Sequence, residues 1–168
     1  VGVLSAALKK DLLGSDGYRE MISNTTKLNT AGPDLAKLTG VHALTDVTGF
    51  GLAGHTLELA RGSHCTAHID WSQVPLLSNV QTLADEGIIT GASDRNWQSY
   101  GSDVGLPASF TPAQLALLTD PQTSGGLLVA CAPECVEEVL DIFNQHHFLG
   151  ARVIGQMGKR QDKLLVVS

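Results

Sequence analysis

The sequence predicts an α+β domain, built as layered α/β/α structure around a mixed sheet. Runs with the helical periodicity of apolar residues interleave with short runs of apolar and β-branched residues. The predicted strands are short and unevenly spaced, which favours a mixed sheet over a fully parallel one. A chain of 168 residues fits a single domain, residues 1–168, because domains typically run to roughly 100–200 residues.

The elements of the first half are predicted from periodicity and from the residues that end each run. Apolar residues recur at helical spacing until Gly14 interrupts them, and Pro33 is compatible with the start of a helix. The short apolar run before Asp46 is typical of a strand, and the segment after it is amphipathic. The predicted elements are helices over 3–13, 18–27 and 28–38, a strand over 41–45, a helix over 50–61 and a strand over 65–69.

The second half begins with a segment rich in Gly, Ser, Asp and Asn, residues 87–110, which predicts a long loop with little regular structure. Thr111 and Pro112 then offer an N-cap followed by proline at the first helical position. The remaining predicted elements are a helix over 113–118, a strand over 127–131, a helix over 133–146 and strands over 153–154 and 164–167.

Composition excludes several classes of function. The net charge of −6 argues against a protein that binds nucleic acid by neutralising phosphates, although Mg²⁺ can supply the positive charge that a bound nucleotide needs. No apolar run approaches the roughly 18 residues of a membrane span, so we expect no membrane partner. Three cysteines cannot all pair within one chain, and a reducing cytoplasmic location is the simpler interpretation.

The first glycine-rich turn, residues Thr45–Gly51, combines features suited to a metal–phosphate site. The Asp46 carboxylate is a hard oxygen ligand of the kind that Mg²⁺ prefers. Gly49 and Gly51 permit backbone N–H groups to converge on an anion at the start of the following helix. The turn is neither a Walker A loop nor a dinucleotide fingerprint, because the required Lys and glycine spacing are missing. The alternative is that Asp46 and Thr48 only cap the helix.

The second glycine-rich turn, residues Leu118–Leu128, leads from polar side chains through paired glycines into an apolar strand. A tight structural turn that needs glycine for its backbone conformation would have the same composition. Taken alone, this segment does not distinguish a ligand site from a simple connection.

Together, the two segments resemble the selenophosphate synthetase (selenide, water dikinase) family. Its C-terminal domain carries a T-D-V-T-G-F-G-L-x-G-H segment, here residues 45–55, and later a D-x-Q-T-S-G-G-L segment, here residues 120–127. The opening Gly2-Val3-Leu4 and the pair Arg95-Asn96 are similar to further family features. The resemblance implies the fold of the aminoimidazole ribonucleotide synthetase superfamily, in its C-terminal domain. Sister families include thiamine-monophosphate kinase and a hydrogenase-maturation carbamoyl dehydratase.

The resemblance implies an enzyme that makes selenophosphate from selenide, ATP and water, releasing AMP and phosphate. It places Asp46 as a ligand of Mg²⁺ and the only metal ligand expected here. It nominates seven residues to orient phosphate or line the cleft: Thr48, Gly49, Gly51, Gln122, Thr123, Ser124 and Gly125. His55 is interpreted as a packing or hydrogen-bonding residue.

The resemblance also implies that this chain is the C-terminal domain of a two-domain enzyme. The N-terminal ATP-binding domain, with its catalytic Cys or selenocysteine and Lys, is absent from a chain that begins at Val1. We therefore expect no catalytic residue in this fragment, no turnover by it alone, and a homodimer for the full-length protein. The open alternatives are the equivalent domain of a sister ATP-dependent synthetase or kinase, and a non-catalytic binding module.

Overall fold

The structure, a computed structural model, describes all residues 1–168. The α-helices are α1 (Gly2–Lys9), α2 (Ser15–Thr25), α3 (Gly32–Leu35), α4 (Gly51–Ser63), α5 (Val80–Asp85), α6 (Gly91–Tyr100), α7 (Pro112–Leu118) and α8 (Val136–Gln145). The strands are β1 (Val41–Asp46), β2 (Thr66–Ile69), β3 (Val104–Gly105), β4 (Leu127–Cys131), β5 (Gly155–Gly158) and β6 (Leu165–Val167). Short 3₁₀ helices cover Trp71–Gln73, Gly101–Asp103 and Pro133–Cys135.

The six strands form two sheets. The larger has the order β3-β6-β2-β5, with β6 parallel to both β3 and β2, and with β5 antiparallel to β2. This confirms the predicted mixed sheet and the α+β class. The other two strands, β1 and β4, form a separate antiparallel pair in which Asp46 lies opposite Leu127. That pair brings together the ends of the chain segments that carry the two glycine-rich turns.

The apolar side chains form three clusters. In the largest, α4 packs on the mixed sheet, and the fully buried Leu57, Leu118 and Leu165 meet there. A second cluster joins α1, α2, α5 and α7, and includes Leu4. The third packs α3 and α8 against the β1–β4 pair through Leu35 and partly buried strand residues. Helix α4 therefore covers the mixed sheet, whereas α8 covers the β1–β4 pair.

The predicted loop over 87–110 is wrong, because the structure has α6, a 3₁₀ helix and β3 in this segment. Helix α6 begins after Thr90, whose side chain accepts a hydrogen bond from the Ser93 N–H as an N-cap. It buries Ser93, Asn96 and Tyr100, so the buried face is largely polar. Periodicity of apolar residues cannot detect a helix of this kind.

The structure differs from the predicted elements at three further places. The third helix is one turn, Gly32–Leu35, rather than 28–38, and α5 was not predicted. The strand predicted over 153–154 lies at Gly155–Gly158, whose largely exposed residues show no apolar alternation. By contrast, α7 begins where Thr111 and Pro112 predicted it, with a complete capping box between Thr111 and Gln114.

None of the helices combines the length and the apolar character that a membrane crossing would need.

We expect Leu165→Ala to lower the free energy of unfolding by about 2–5 kcal/mol, because Leu165 is fully buried in the strand between β3 and β2. Leu28→Ala removes the same atoms from a side chain that is 76% exposed, and should change the free energy of unfolding by less than about 0.5 kcal/mol. Urea unfolding of both variants measures the difference. Equal losses would contradict the assigned core.

Candidate functional site

The two glycine-rich turns are in direct contact. Because β1 and β4 pair in antiparallel fashion, the end of β1 lies beside the start of β4. The N–H of Val47 donates to the carbonyl oxygen of Gly126 at 2.9 Å. The N–H of Gln122 donates to the carbonyl oxygen of Thr48 at 3.0 Å. Segments that lie more than 70 residues apart in the sequence therefore form one surface.

This contact is close enough to require glycine at two positions. A Cβ atom on Gly125 would lie 1.9 Å from the carbonyl oxygen of Val47. Gly51 has a φ of +69°, and a Cβ there would lie 2.6 Å from the carbonyl carbon of Thr119. No side chain fits in either space without displacing backbone. Gly51 and Gly125 therefore shape the site, and their role in the structure is steric.

Helix α6 fixes the carbonyl groups of the first turn. The Asn96 side-chain amide donates to the carbonyl oxygens of Gly49, at 2.9 Å, and Thr119, at 3.0 Å, and so joins the two turns. The Tyr100 hydroxyl donates to the carbonyl oxygen of Phe50 at 2.6 Å. Sequence reasoning gave neither residue a role, and its only signal was the family likeness of Arg95-Asn96.

The N–H groups of the first turn are left free. Those of Gly49 and Phe50 make no hydrogen bond within the protein, and both residues are exposed. They precede α4, a helix of 13 residues whose N-terminus carries a partial positive charge. Because the carbonyls are held from the other side, these N–H groups can face an anion such as phosphate.

Asp46 presents an unengaged carboxylate at the end of β1. Its side chain is exposed and makes no hydrogen bond or ion pair within the chain. The structure contains no group of three His, Cys, Asp or Glu side chains that could hold a metal ion together. Mg²⁺ commonly keeps several waters and takes one or two carboxylates together with substrate phosphates. The free carboxylate therefore fits one ligand position of Mg²⁺.

The nominated side chains of the second turn divide into two groups. Gln122 is engaged within the protein, since its amide donates to the Asp120 carbonyl and carboxylate at 3.0 Å each. Its side-chain oxygen accepts from the amino group of Val1 at 2.9 Å. Thr123 and Ser124 are exposed, and Ser124 has a positive φ of 50°. Only these last two have side chains free to meet a ligand.

Asp120 is a buried residue that sequence reasoning did not nominate. It is 2% exposed, and one carboxylate oxygen accepts from the N–H of Val3 and the amino group of Val1, each at 3.2 Å. The carboxylate thereby caps the N-terminus of α1. The other oxygen has no partner. Burial raises the pKa of Asp120. The Asp-Pro-Gln sequence was the only available signal.

We expect Gly125→Ala to lower the free energy of unfolding by about 2 kcal/mol or more, because the added methyl group overlaps the Val47 carbonyl. Gly126→Ala is the matched control: a Cβ there meets nothing within 4 Å, and the change should stay within about 1 kcal/mol. Thermal unfolding distinguishes the two. Similar losses at both positions would show that the turns are not packed as described.

Burial raises the pKa of Tyr100 to about 12, above its ordinary value of 10.0. At neutral pH, Tyr100→Phe should cost about 1 kcal/mol through the lost hydrogen bond to Phe50. Between pH 10 and 12 the unfolded wild type loses the phenol proton while the folded protein keeps it, so the stability of the wild type falls as pH rises. The difference between wild type and variant should therefore shrink across this window.

Urea unfolding at pH 7 and at several values between pH 10 and 12 measures that difference, because other titrating groups affect wild type and variant alike. Tyr18→Phe alters a tyrosine that is 46% exposed, and should leave stability at neutral pH within about 0.5 kcal/mol. A stability difference between wild type and Tyr100→Phe that stays constant or grows with pH would contradict a buried, hydrogen-bonded phenol at Tyr100.

Comparison with known proteins places this site in a family. Residues 2–168 match the family "AIR synthase related protein, C-terminal domain". The chain is 60% identical to a selenide, water dikinase of Pseudomonas straminea over 166 residues, covering 99% of this chain and 46% of that protein. It is 58% identical to the selenide, water dikinase of Paraburkholderia xenovorans (strain LB400), covering 99% of this chain and 47% of that protein.

A solved structure, that of Escherichia coli HypE, a hydrogenase maturation protein, has the same fold. It superposes with a TM-score of 0.60 at 21% identity, covering 96% of this chain and 42% of that chain. The chain spans about half the length of the curated relatives it matches. The match to the family covers residues 2–168, which include both glycine-rich turns. The chain therefore belongs to the AIR synthase related family and corresponds to its C-terminal domain.

Proposed function

We propose that this chain is the C-terminal domain of a selenide, water dikinase, which converts selenide, ATP and water into selenophosphate, AMP and phosphate. The observation that carries the proposal is the identity of 58–60% over 99% of the chain to proteins of that name. The geometry is compatible with it, because both turns that carry the family resemblance form one exposed surface.

In this proposal Asp46 binds Mg²⁺ with its free carboxylate, and the metal, when bound, neutralises charge on the phosphates of ATP. The free N–H groups of Gly49 and Phe50 bind an adjacent phosphate oxygen. Thr123 and Ser124 line the same surface with exposed hydroxyl groups. Gly51 and Gly125 act by letting the two turns lie against each other, and the side chain of Gln122 is engaged with Asp120 within the second turn.

The remaining parts of the reaction belong to the N-terminal domain of a longer protein. That domain supplies most of the ATP contacts, the Cys or selenocysteine, and the Lys. The full-length enzyme is a cytoplasmic homodimer in this proposal, with its own N-terminal domain as the partner of this surface. An incomplete metal shell supports the division, since Asp46 belongs to no group of three His, Cys, Asp or Glu side chains that could hold a metal ion. The isolated chain then has no turnover.

The test is Asp46→Asn in the longer protein that contains these residues. We expect Mg²⁺- and selenide-dependent AMP release to fall by roughly tenfold or more, because even groups that only orient metal ligands are worth that much. Asp141→Asn is the matched control, since Asp141 is an exposed helix residue without a hydrogen bond from its side chain. Unchanged AMP release in Asp46→Asn would contradict the metal assignment. Turnover by the isolated 168 residues would contradict the division of the site.

A further inference from the structure

His55 connects the first glycine-rich turn to an acidic residue one helical turn further along α4. Its Nε2 atom lies 3.1 Å from the Thr48 hydroxyl oxygen, and its Nδ1 atom lies 2.9 Å from a carboxylate oxygen of Glu58. The ring is buried, at 7% exposure, and packs near the Phe50 ring. Thr48 and Glu58 are thus linked through a single side chain that solvent barely reaches.

In the neutral form of His55, the chemistry of the three groups fixes the direction of both hydrogen bonds. A carboxylate can only accept, so the Nδ1 atom facing Glu58 must carry a proton. A neutral imidazole with its proton on Nδ1 has a bare Nε2, which can only accept. In this form the hydroxyl proton of Thr48 is donated to His55. The Thr48 oxygen has no proton left to offer elsewhere, and presents only lone pairs.

That direction decides what Thr48 can bind. An oxygen that presents only lone pairs suits a cation or a water, and cannot donate to a phosphate oxygen. Val47 is buried whereas Asp46 is exposed and Thr48 half-buried, the alternation of an extended segment with residues i and i+2 on one side. The Thr48 hydroxyl oxygen and the Asp46 carboxylate are therefore on the same side of this segment.

We propose that Thr48 supplies a second oxygen ligand beside Asp46 for a divalent cation, directly or through a bound water. His55 orients that oxygen, and Glu58 holds His55 in the Nδ1–H tautomer. His55 and Glu58 are positioning residues in this scheme, since neither meets the cation. The inference rests on the proposed function for the presence of the cation, and it replaces the phosphate-orienting role that the family resemblance implied for Thr48.

The tautomer is tested in the isolated chain by long-range ¹H–¹⁵N correlation spectra of the imidazole rings. His146 is an internal control with the opposite arrangement: its Nε2 lies 2.9 Å from Asp34 and its Nδ1 lies 3.0 Å from the Thr30 hydroxyl. We expect a protonated Nδ1 in His55 and a protonated Nε2 in His146. Glu58→Gln keeps an acceptor and should preserve the pattern of His55, whereas Glu58→Ala should mix the tautomers. A protonated Nε2 in wild-type His55 would overturn the proposal.

The role of the Thr48 oxygen is tested by Mn²⁺ titration of the same chain, followed by paramagnetic broadening of the backbone resonances of the first turn. Thr48→Val should weaken Mn²⁺ binding by roughly fivefold, the value of about one hydrogen bond, while Thr48→Ser should retain it. His55→Phe should weaken it to a similar degree. His55→Gln keeps an acceptor for the Thr48 hydroxyl and should recover part of the loss. The Thr48→Val/His55→Phe double variant should bind no more weakly than either single one.

The outcomes separate this inference from the proposed function. Mn²⁺ binding that is lost in Asp46→Asn but unchanged in Thr48→Val would overturn the role of Thr48 and leave the Asp46 assignment intact. Additive losses in the double variant would overturn the claim that His55 acts through Thr48. Binding that is unaffected by Asp46→Asn would instead contradict the proposed metal site itself.

Discussion

The close approach of Gly125 to the Val47 carbonyl is the contact on which the candidate site depends. It occurs where β1 and β4 pair, and it lets the backbones of two distant segments lie against each other without an intervening side chain. Backbone hydrogen bonds from Val47 and Gln122 then fix the register of the two turns. Because this contact is made by backbone atoms, it holds the two turns in position more rigidly than contacts between flexible side chains would.

Polar groups buried behind the turns complete this arrangement. Asn96 spans both turns with one amide, Tyr100 holds the next carbonyl, and Asp120 caps α1 beneath the second turn. In a low-dielectric setting such bonds are costly to leave unmade, so each one restricts the turn to a single conformation. The unpaired oxygen of Asp120 is an exception, and lies where a Cβ on Gly2 would be only 2.4 Å away. Glycine at position 2 therefore lets α1 pack closely on this carboxylate.

Sequence reasoning predicted the parts of the fold that leave a local pattern. The N-cap of α7 at Thr111 and the strand before Asp46 both follow from residue types at fixed spacing. Helix α6 is not predicted, because its buried face is polar. The side chains on that face bind carbonyl groups that are distant in the sequence. The same holds for Asn96 and Asp120, whose roles depend on which segments become neighbours. Motif resemblance located the turns, but only the packing shows which of their residues remain free for a ligand.

The free groups of the first turn have opposite electrostatic preferences. The Asp46 carboxylate and the Thr48 oxygen attract a cation, whereas the N–H groups of Gly49 and Phe50 attract an anion, and all four lie within five residues. A lone anion would be repelled by Asp46, and a lone cation would leave the N–H groups unused. A cation bound to a polyanion satisfies both sets at once, as a metal–phosphate complex does. The turn is therefore suited to the complex of metal and phosphate rather than to either component alone.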